Sequence, residues 1–205
     1  MIAIVDYAMG NLHSVSKALE RMGYASAIAS DRETILQADA IILPGVGAFG
    51  DAMYELTKRD LTTVIKEAAL QEKPLLGIGL GMQLLFTSSD EHGYHQGLNL
   101  LPGHVVRFDG DNRGSHMGWN WLSFKHPHPL FKSLEEDYVY FAHSYHVKAD
   151  NAEDVIATTD CYQPVAAVVN RGNIFGMQFH PEKSGKLGLQ LLESFARLSE
   201  KVGAS

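Results

Sequence analysis

From Ile2 to Ser88 the sequence alternates between short β-rich runs and amphipathic segments, and this alternation leaves few possible folds. Ile2–Asp6 ("IAIVD") predicts a buried strand, and Asn11–Met22 a helix with Leu12, Val15, Leu19 and Met22 on one face. Gly23 predicts the end of that helix. Tyr24–Ser30 reads as a weaker strand and Asp31–Gln37 as a short helix. Ala40–Pro44 ("AIILP") predicts a second buried strand, followed by the glycine-rich loop "GVGAFG". Asp51–Glu72 reads as helix with a break near Asp60, Pro74–Ile78 as strand, and Leu80–Ser88 as helix. Strands that alternate with helices pair in parallel and are covered on both faces.

The second half changes character. His104–Phe108, Tyr138–Val147, Asp154–Thr159, Val165–Asn170 and Ile174–Phe179 read as strands joined by short turns, the last two as a hairpin around Arg171–Gly172. Ser184–Leu198 is helical again. The expectation is an α/β fold with a mostly parallel central sheet covered by helices and antiparallel strands in the second half. No linker or repeat divides residues 1–205, so one domain is expected.

A net charge of −7 gives no electrostatic footprint for nucleic acid or an anionic membrane. No apolar run approaches the roughly 18 residues of a membrane span. The start, "MIAIVDYAMGN", lacks a basic n-region and reads as a core strand. A single cysteine, Cys161, forms no internal disulfide and suits a reducing compartment, so a cytoplasmic protein is expected. His126 and His128 alternate with prolines, and His92 and His95 flank Gly93; neither pair has a third ligand nearby, so neither a metal nor another cofactor is expected.

Open α/β sheets bind ligands at the carboxyl ends of their strands. Four loops would gather there. One is "DYAMGN" after the first strand, and another is "PGVGAFG", Pro44 to Gly50, whose glycines let N–H groups face a developing negative charge. A tight strand-to-helix turn explains the second loop equally well. The third, "GIGLGMQ", has the small neighbours Gly77 and Gly81 that an elbow demands around a strained apex. At the apex itself stands Gly79, so a glycine-rich packing turn remains an alternative. The fourth is "QFHPEKS": in extended chain His180 and Glu182 point to the same side, and the carboxylate would fix the imidazole tautomer.

Taken together, these segments resemble class I glutamine amidotransferases, and among them the glutaminase subunits of imidazole glycerol phosphate synthases. The motifs that carry the resemblance are "DYAMGNLHSV", "LPGVGAFGDAM", "GIGLGMQLLF", "MGWN", "YFAHSYHV" and "GMQFHPEKS", in order along nearly the whole chain. The resemblance implies a flavodoxin-like sheet and a Cys-His-Glu triad with His180 and Glu182. It implies oxyanion donors near Gly45, Val46 and Gly47 and at Leu80, and glutamine contacts from Gln83, His143, Ser144 and Tyr145. Family members pass ammonia to a (β/α)8-barrel cyclase, and Asn11, Met117, Trp119, Asn120 and Lys183 match positions at or near that interface.

One position departs from the pattern. The family has cysteine where this chain has Gly79. Losing the nucleophile of a triad costs on the order of 10⁶ in rate, roughly 8 kcal/mol of barrier. Cys161, in the loop-like "TTDCYQPV", is a poor substitute. The expectation is therefore a glutaminase subunit without glutaminase activity. Because His180, Glu182 and the glutamine-gripping positions all match the pattern, a substitution made at that one site explains the sequence better than a decayed pseudoenzyme. Two alternatives stay open: a non-catalytic binding subunit of the same complex, and a paralogue supplying ammonia for amination of another metabolite. A smaller departure is Ala8, where the family usually has glycine.

Overall fold

The computed structural model describes residues 1–108 and 114–202. Its central sheet has eight strands. The parallel half comprises β1 (Ile2–Val5), β2 (Ser26–Ala29), β3 (Ala40–Leu43), β4 (Leu75–Ile78) and β14 (Ile174–Met177). The antiparallel half comprises β13 (Pro164–Arg171), β12 (Val155–Asp160) and β9 (Ser123–Phe124). The order is β2-β1-β3-β4-β14-β13-β12-β9, so a parallel core carries an antiparallel wing, as expected.

Alternate residues of β1 enter opposite cores. Ala3 and Val5 pack with α2 (Arg32–Gln37), α3 (Phe49–Lys58) and α4 (Leu61–Leu70), through Ile35, Phe49, Leu56 and Ile65. Ile2 and Ile4 pack with α1 (Leu12–Arg21) and α6 (Gly185–Val202), through Val15, Leu19, Leu191 and Phe195. Burial on both faces explains why these strands read as unbroken apolar runs. The break near Asp60 is real: this residue takes a left-handed φ of 58° between α3 and α4. The β13–β14 hairpin also forms, with Arg171 opposite Ile174.

Two expectations are corrected. The helix read over Leu80–Ser88 stops after one turn, as α5 (Leu80–Leu84). The following residues form β5 (Phe86–Ser89), which pairs in parallel with β7 (Leu101–Arg107) and antiparallel with β6 (His95–Gln96). Strand partners remote in sequence override the local helical spacing. Tyr138–Val147, read as one strand, breaks at Ser144 into β10 (Tyr138–His143) and β11 (Tyr145–Ala149). β11 joins the β7 sheet, whereas β10 pairs with β8 (His116–Trp121), for which no separate strand was expected. Among the described residues no helix is long and apolar enough to cross a membrane.

Candidate active site

The strands β1, β3, β4 and β14 are neighbours in the sheet, so the four loops singled out in the sequence leave it side by side. The turn after β4 is an elbow. Gly79 adopts φ 60° and ψ −121°, a conformation that L side chains rarely adopt. Its neighbours must be small: a Cβ at Gly77 would lie 2.5 Å from the Gly81 carbonyl oxygen, and one at Gly81 would overlap the Leu43 carbonyl. The apex is tied to the sheet by the Gly79 N–H, which donates to Met177 at 2.8 Å.

His180 ends the adjacent β14 loop and faces this apex. A Cβ at position 79 would stand 3.4 Å from His180 Nε2 and 3.0 Å from its Cε1. The other ring nitrogen, Nδ1, lies 3.3 Å from Glu182 Oε1. The route differs from the extended chain expected. Pro181–Lys183 form a single 3₁₀ turn, and Glu182 reaches back to the ring from within it. Ser184 locks that turn, donating its hydroxyl to the His180 carbonyl at 2.6 Å and accepting the Tyr140 N–H at 2.9 Å. The Glu182 side chain is 1% exposed, yet neither oxygen meets hydrogen-bond geometry. The 3.3 Å approach to His180 is therefore close but poorly aligned, and it is this carboxylate's one ionic contact among the described residues.

A cavity of about 190 Å³ opens between these loops, small for a drug-sized ligand and of a scale for one metabolite. Its walls include all eight of the residues expected to bind substrate: Gly45, Val46, Gly47, Leu80, Gln83, His143, Ser144 and Tyr145. His180 reaches it as well. The structure adds Glu91, which sequence reasoning missed because its loop lies outside the quoted motifs. Glu91 Oε2 accepts the Phe49 N–H at 2.9 Å, which holds the carboxylate at the cavity wall. Gln83 is committed on one side: its Nε2 donates to the Tyr145 carbonyl at 3.0 Å and to Gln178 Oε1 at 3.1 Å.

One of the expected oxyanion donors, the Leu80 N–H, is engaged within the protein. The Leu80 N–H is already paired with the Gly45 carbonyl at 3.1 Å, and the Met82 N–H with the Gly79 carbonyl at 3.1 Å. Gly45 turns its oxygen, an acceptor, toward the elbow, 3.0 Å from where a Cβ of residue 79 would stand. Cys161 offers no substitute nucleophile. It lies in the β12–β13 turn, and burial, followed by the charge of Asp160, pushes its thiol upward and keeps it protonated.

An elbow, a histidine at the cavity and a carboxylate behind that histidine agree with the family match: residues 3–197 match the model of glutamine amidotransferase class-I. The chain belongs to the class I glutamine amidotransferase family. This amidotransferase is 51% identical to the imidazole glycerol phosphate synthase subunit HisH of Halalkalibacterium halodurans, over 98% of its own length and 97% of the relative's. It is 50% identical to the subunit of that name from Listeria innocua, over 100% and 99% of the two chains. Among solved structures, PurLQS from Thermotoga maritima superposes with a TM-score of 0.76 at 22% identity, over 96% of this amidotransferase and 97% of that chain. A glutamine amidotransferase from the same organism gives 0.63 at 17%, over 100% and 85%. At such identities the two structures share the fold alone with this amidotransferase.

The residues expected at a partner surface separate into two groups. Met117 and Trp119 lie on the outer face of β8, 66% and 55% exposed, and Trp121, outside the expected set, continues that face at 42%. Tyr138, directly opposite Trp121, extends the same face. Lys183 is exposed and Asn11, at the start of α1, is half-buried. Asn120 points the other way: its amide donates to the Asp160 carbonyl at 2.7 Å and reaches His116 Nε2 at 3.1 Å.

Proposed function

We propose that this chain is the glutamine-binding subunit of an imidazole glycerol phosphate synthase, complete in its site except for the nucleophile. The observation that carries this reading is the point 3.4 Å from His180 Nε2 where the missing side chain of residue 79 would begin. A cysteine placed there would have a base at its thiol, and that base would be oriented by Glu182.

In that reading the cavity takes free glutamine. Glu91 suits the α-ammonium group, and the backbone of residues 143–145 and of the Gly45–Gly47 loop surrounds the rest. With cysteine at 79, the thiolate would attack the side-chain carbonyl carbon, and His180 would return the proton to the departing ammonia. Water, deprotonated by His180, would then cleave the glutamyl thioester to glutamate. The developing oxyanion needs N–H groups, so the Gly45 carbonyl must first turn away from Leu80. With Gly79, glutamine binds and stays intact. A subunit of this kind needs a second chain, and we assign a (β/α)8-barrel cyclase to the exposed face of Met117, Trp119, Trp121 and Tyr138. That face adjoins the triad loop: a Cβ at Gly185 would lie 3.8 Å from the Trp119 ring.

The test is glutamine-dependent ammonia release by this chain and by its Gly79→Cys form, each with a saturating cyclase and the cyclase's nucleotide ligand. Release by the cysteine form alone supports the reading. No release by either, while the cyclase still turns over free ammonia, sinks the triad and leaves a binding subunit.

A further inference from the structure

Behind the cavity lies a line of polar groups that the triad does not use. His116 on β8 and His143 on β10 are cross-strand neighbours, and His116 Nδ1 lies 2.9 Å from His143 Nε2. The far nitrogen of His143, Nδ1, is 2.7 Å from the Tyr145 carbonyl oxygen. The far nitrogen of His116, Nε2, is 3.1 Å from Asn120 Nδ2, which also donates to the Asp160 carbonyl at 2.7 Å. Both histidines are buried.

The ends of this line fix its direction. A carbonyl oxygen only accepts, so His143 must carry its proton on Nδ1, which leaves Nε2 as an acceptor. His116 must then donate from Nδ1, leaving its own Nε2 to accept from Asn120. Every donor meets an acceptor, and no second assignment of two neutral rings satisfies all the contacts. Burial lowers the pKa of His116 to about 4 and of His143 to about 3, which keeps both rings neutral. The chain of donors ends on the Tyr145 carbonyl, which Gln83 also uses at 3.0 Å. Two side chains of the cavity wall, His143 and Gln83, thus share one anchor.

We infer that His116 and Asn120, which stand outside the cavity, are positioning residues for its wall, holding the His143 ring in the one tautomer and orientation that keeps His143 and Gln83 on the Tyr145 carbonyl. The inference rests on the reading of the cavity as a glutamine site. A purely packing role for His116 is the competing account, because its ring also stacks on Phe141 at 4.4 Å and 20°.

The two roles respond oppositely to two substitutions. His116→Phe keeps the ring stack and removes both polar contacts. His116→Gln loses the stack but keeps one donor toward His143 and one acceptor for Asn120. Glutamine affinity is measured by calorimetry on the Gly79 chain, where no turnover interferes, and long-range ¹H–¹⁵N spectra at pH 7 read the tautomers. Both rings should be Nδ1–H in the parent. Affinity should fall about tenfold in His116→Phe and in Asn120→Leu, and His116→Gln should stay within about threefold of the parent. His143 protonated on Nε2, a folded His116→Phe that binds like the parent, or His116→Gln weaker than His116→Phe would each overturn the inference. If the parent binds no glutamine, the functional reading falls. The Tyr145 carbonyl ¹³C shift then decides the positioning role, which stands if that shift moves in His116→Phe and returns in His116→Gln, and falls otherwise.

Discussion

His180 stands between two positions, with Nδ1 3.3 Å from Glu182 Oε1 and Nε2 3.4 Å from the point where a Cβ of residue 79 would begin. One side holds a carboxylate with no well-aligned donor, and the other holds no side chain at all. In the proposed reading His180 is a base prepared for a nucleophile, and the poorly paired carboxylate beside it has a cost in stability.

Glu182→Gln should therefore separate folding from function. A buried carboxylate whose oxygens lack well-aligned donors bears much of its desolvation penalty uncompensated, on the order of 1–3 kcal/mol for such a group. Neutralising it in the Gly79 chain should raise stability by about 1–2 kcal/mol, read as a higher urea midpoint with an unchanged m-value. In the Gly79→Cys form the same change should lower kcat by roughly 10³- to 10⁴-fold, because the imidazole loses its orienting charge. A chain destabilised by Glu182→Gln would mean that the carboxylate has partners this geometry does not show.

Gly79→Cys should restore chemistry at the expense of stability. A side chain at φ 60° and ψ −121° costs about 1–3 kcal/mol, and its Cβ would sit only 3.0 Å from the Gly45 carbonyl oxygen. The smaller unfolded-state entropy of cysteine returns roughly 0.5–1 kcal/mol. Strain wins, so a net loss of about 1–2 kcal/mol is expected in equilibrium unfolding. A cysteine form at least as stable as the parent would show that the elbow relaxes around its side chain.

Ala8 holds a left-handed φ of 68° in the loop after β1, at the position where the resemblance led us to expect glycine. Replacing it by glycine relieves about 1–2 kcal/mol of backbone strain and adds about 0.5–1 kcal/mol of unfolded-state entropy. Ala8→Gly should thus stabilise by about 0.5–1 kcal/mol, with the loop still held by the Ala8 N–H donating to Asp6 Oδ1. Thermal and urea midpoints check it, and a lower midpoint would refute it.

Stability should also fall in mild acid. His116 and His143 fold neutral, with pKa values of about 4 and about 3, lowered from 6.5 chiefly by burial. The unfolded chain takes up these protons first, so their contribution is complete above pH 6.5 and is lost as pH falls toward 4 and then 3. His143, the deeper of the two, accounts for up to about 1.4 kcal/mol per pH unit in that window, and His116, closer to solvent, for less. Urea unfolding at pH 7 and pH 5 should therefore show a loss of about 1–3 kcal/mol, reduced in His116→Gln. A pH-independent midpoint over this range would contradict neutral burial of the pair.

The central strands were legible because burial on both faces leaves an unbroken apolar signature, as in Ile2–Val5 and Ala40–Leu43. The elbow was legible because Gly77 and Gly81 sit where any Cβ would meet backbone. Phe86–Ser89 was not legible as a strand: four residues after a helical turn carry no period of their own, and their strand partners lie at residues 95–107. The break at Ser144 was hidden for a similar reason, since β10 and β11 are both strands and differ only in the sheet each joins.

The sequence by itself determined the parallel core, the row of loops above it, the His180 and Glu182 pair and the absence of a side chain at Gly79, because each depends on residue types at short spacing. Only the tertiary structure decided that Gly45 presents its carbonyl to Leu80, that Glu91 joins the cavity, that Asn120 turns inward, and that His116 and His143 form a directed line ending on Tyr145. These depend on which donor meets which acceptor across elements far apart in the chain. Hydrogen bonds are short and directional, so such pairings are fixed by packing and leave no pattern along the sequence.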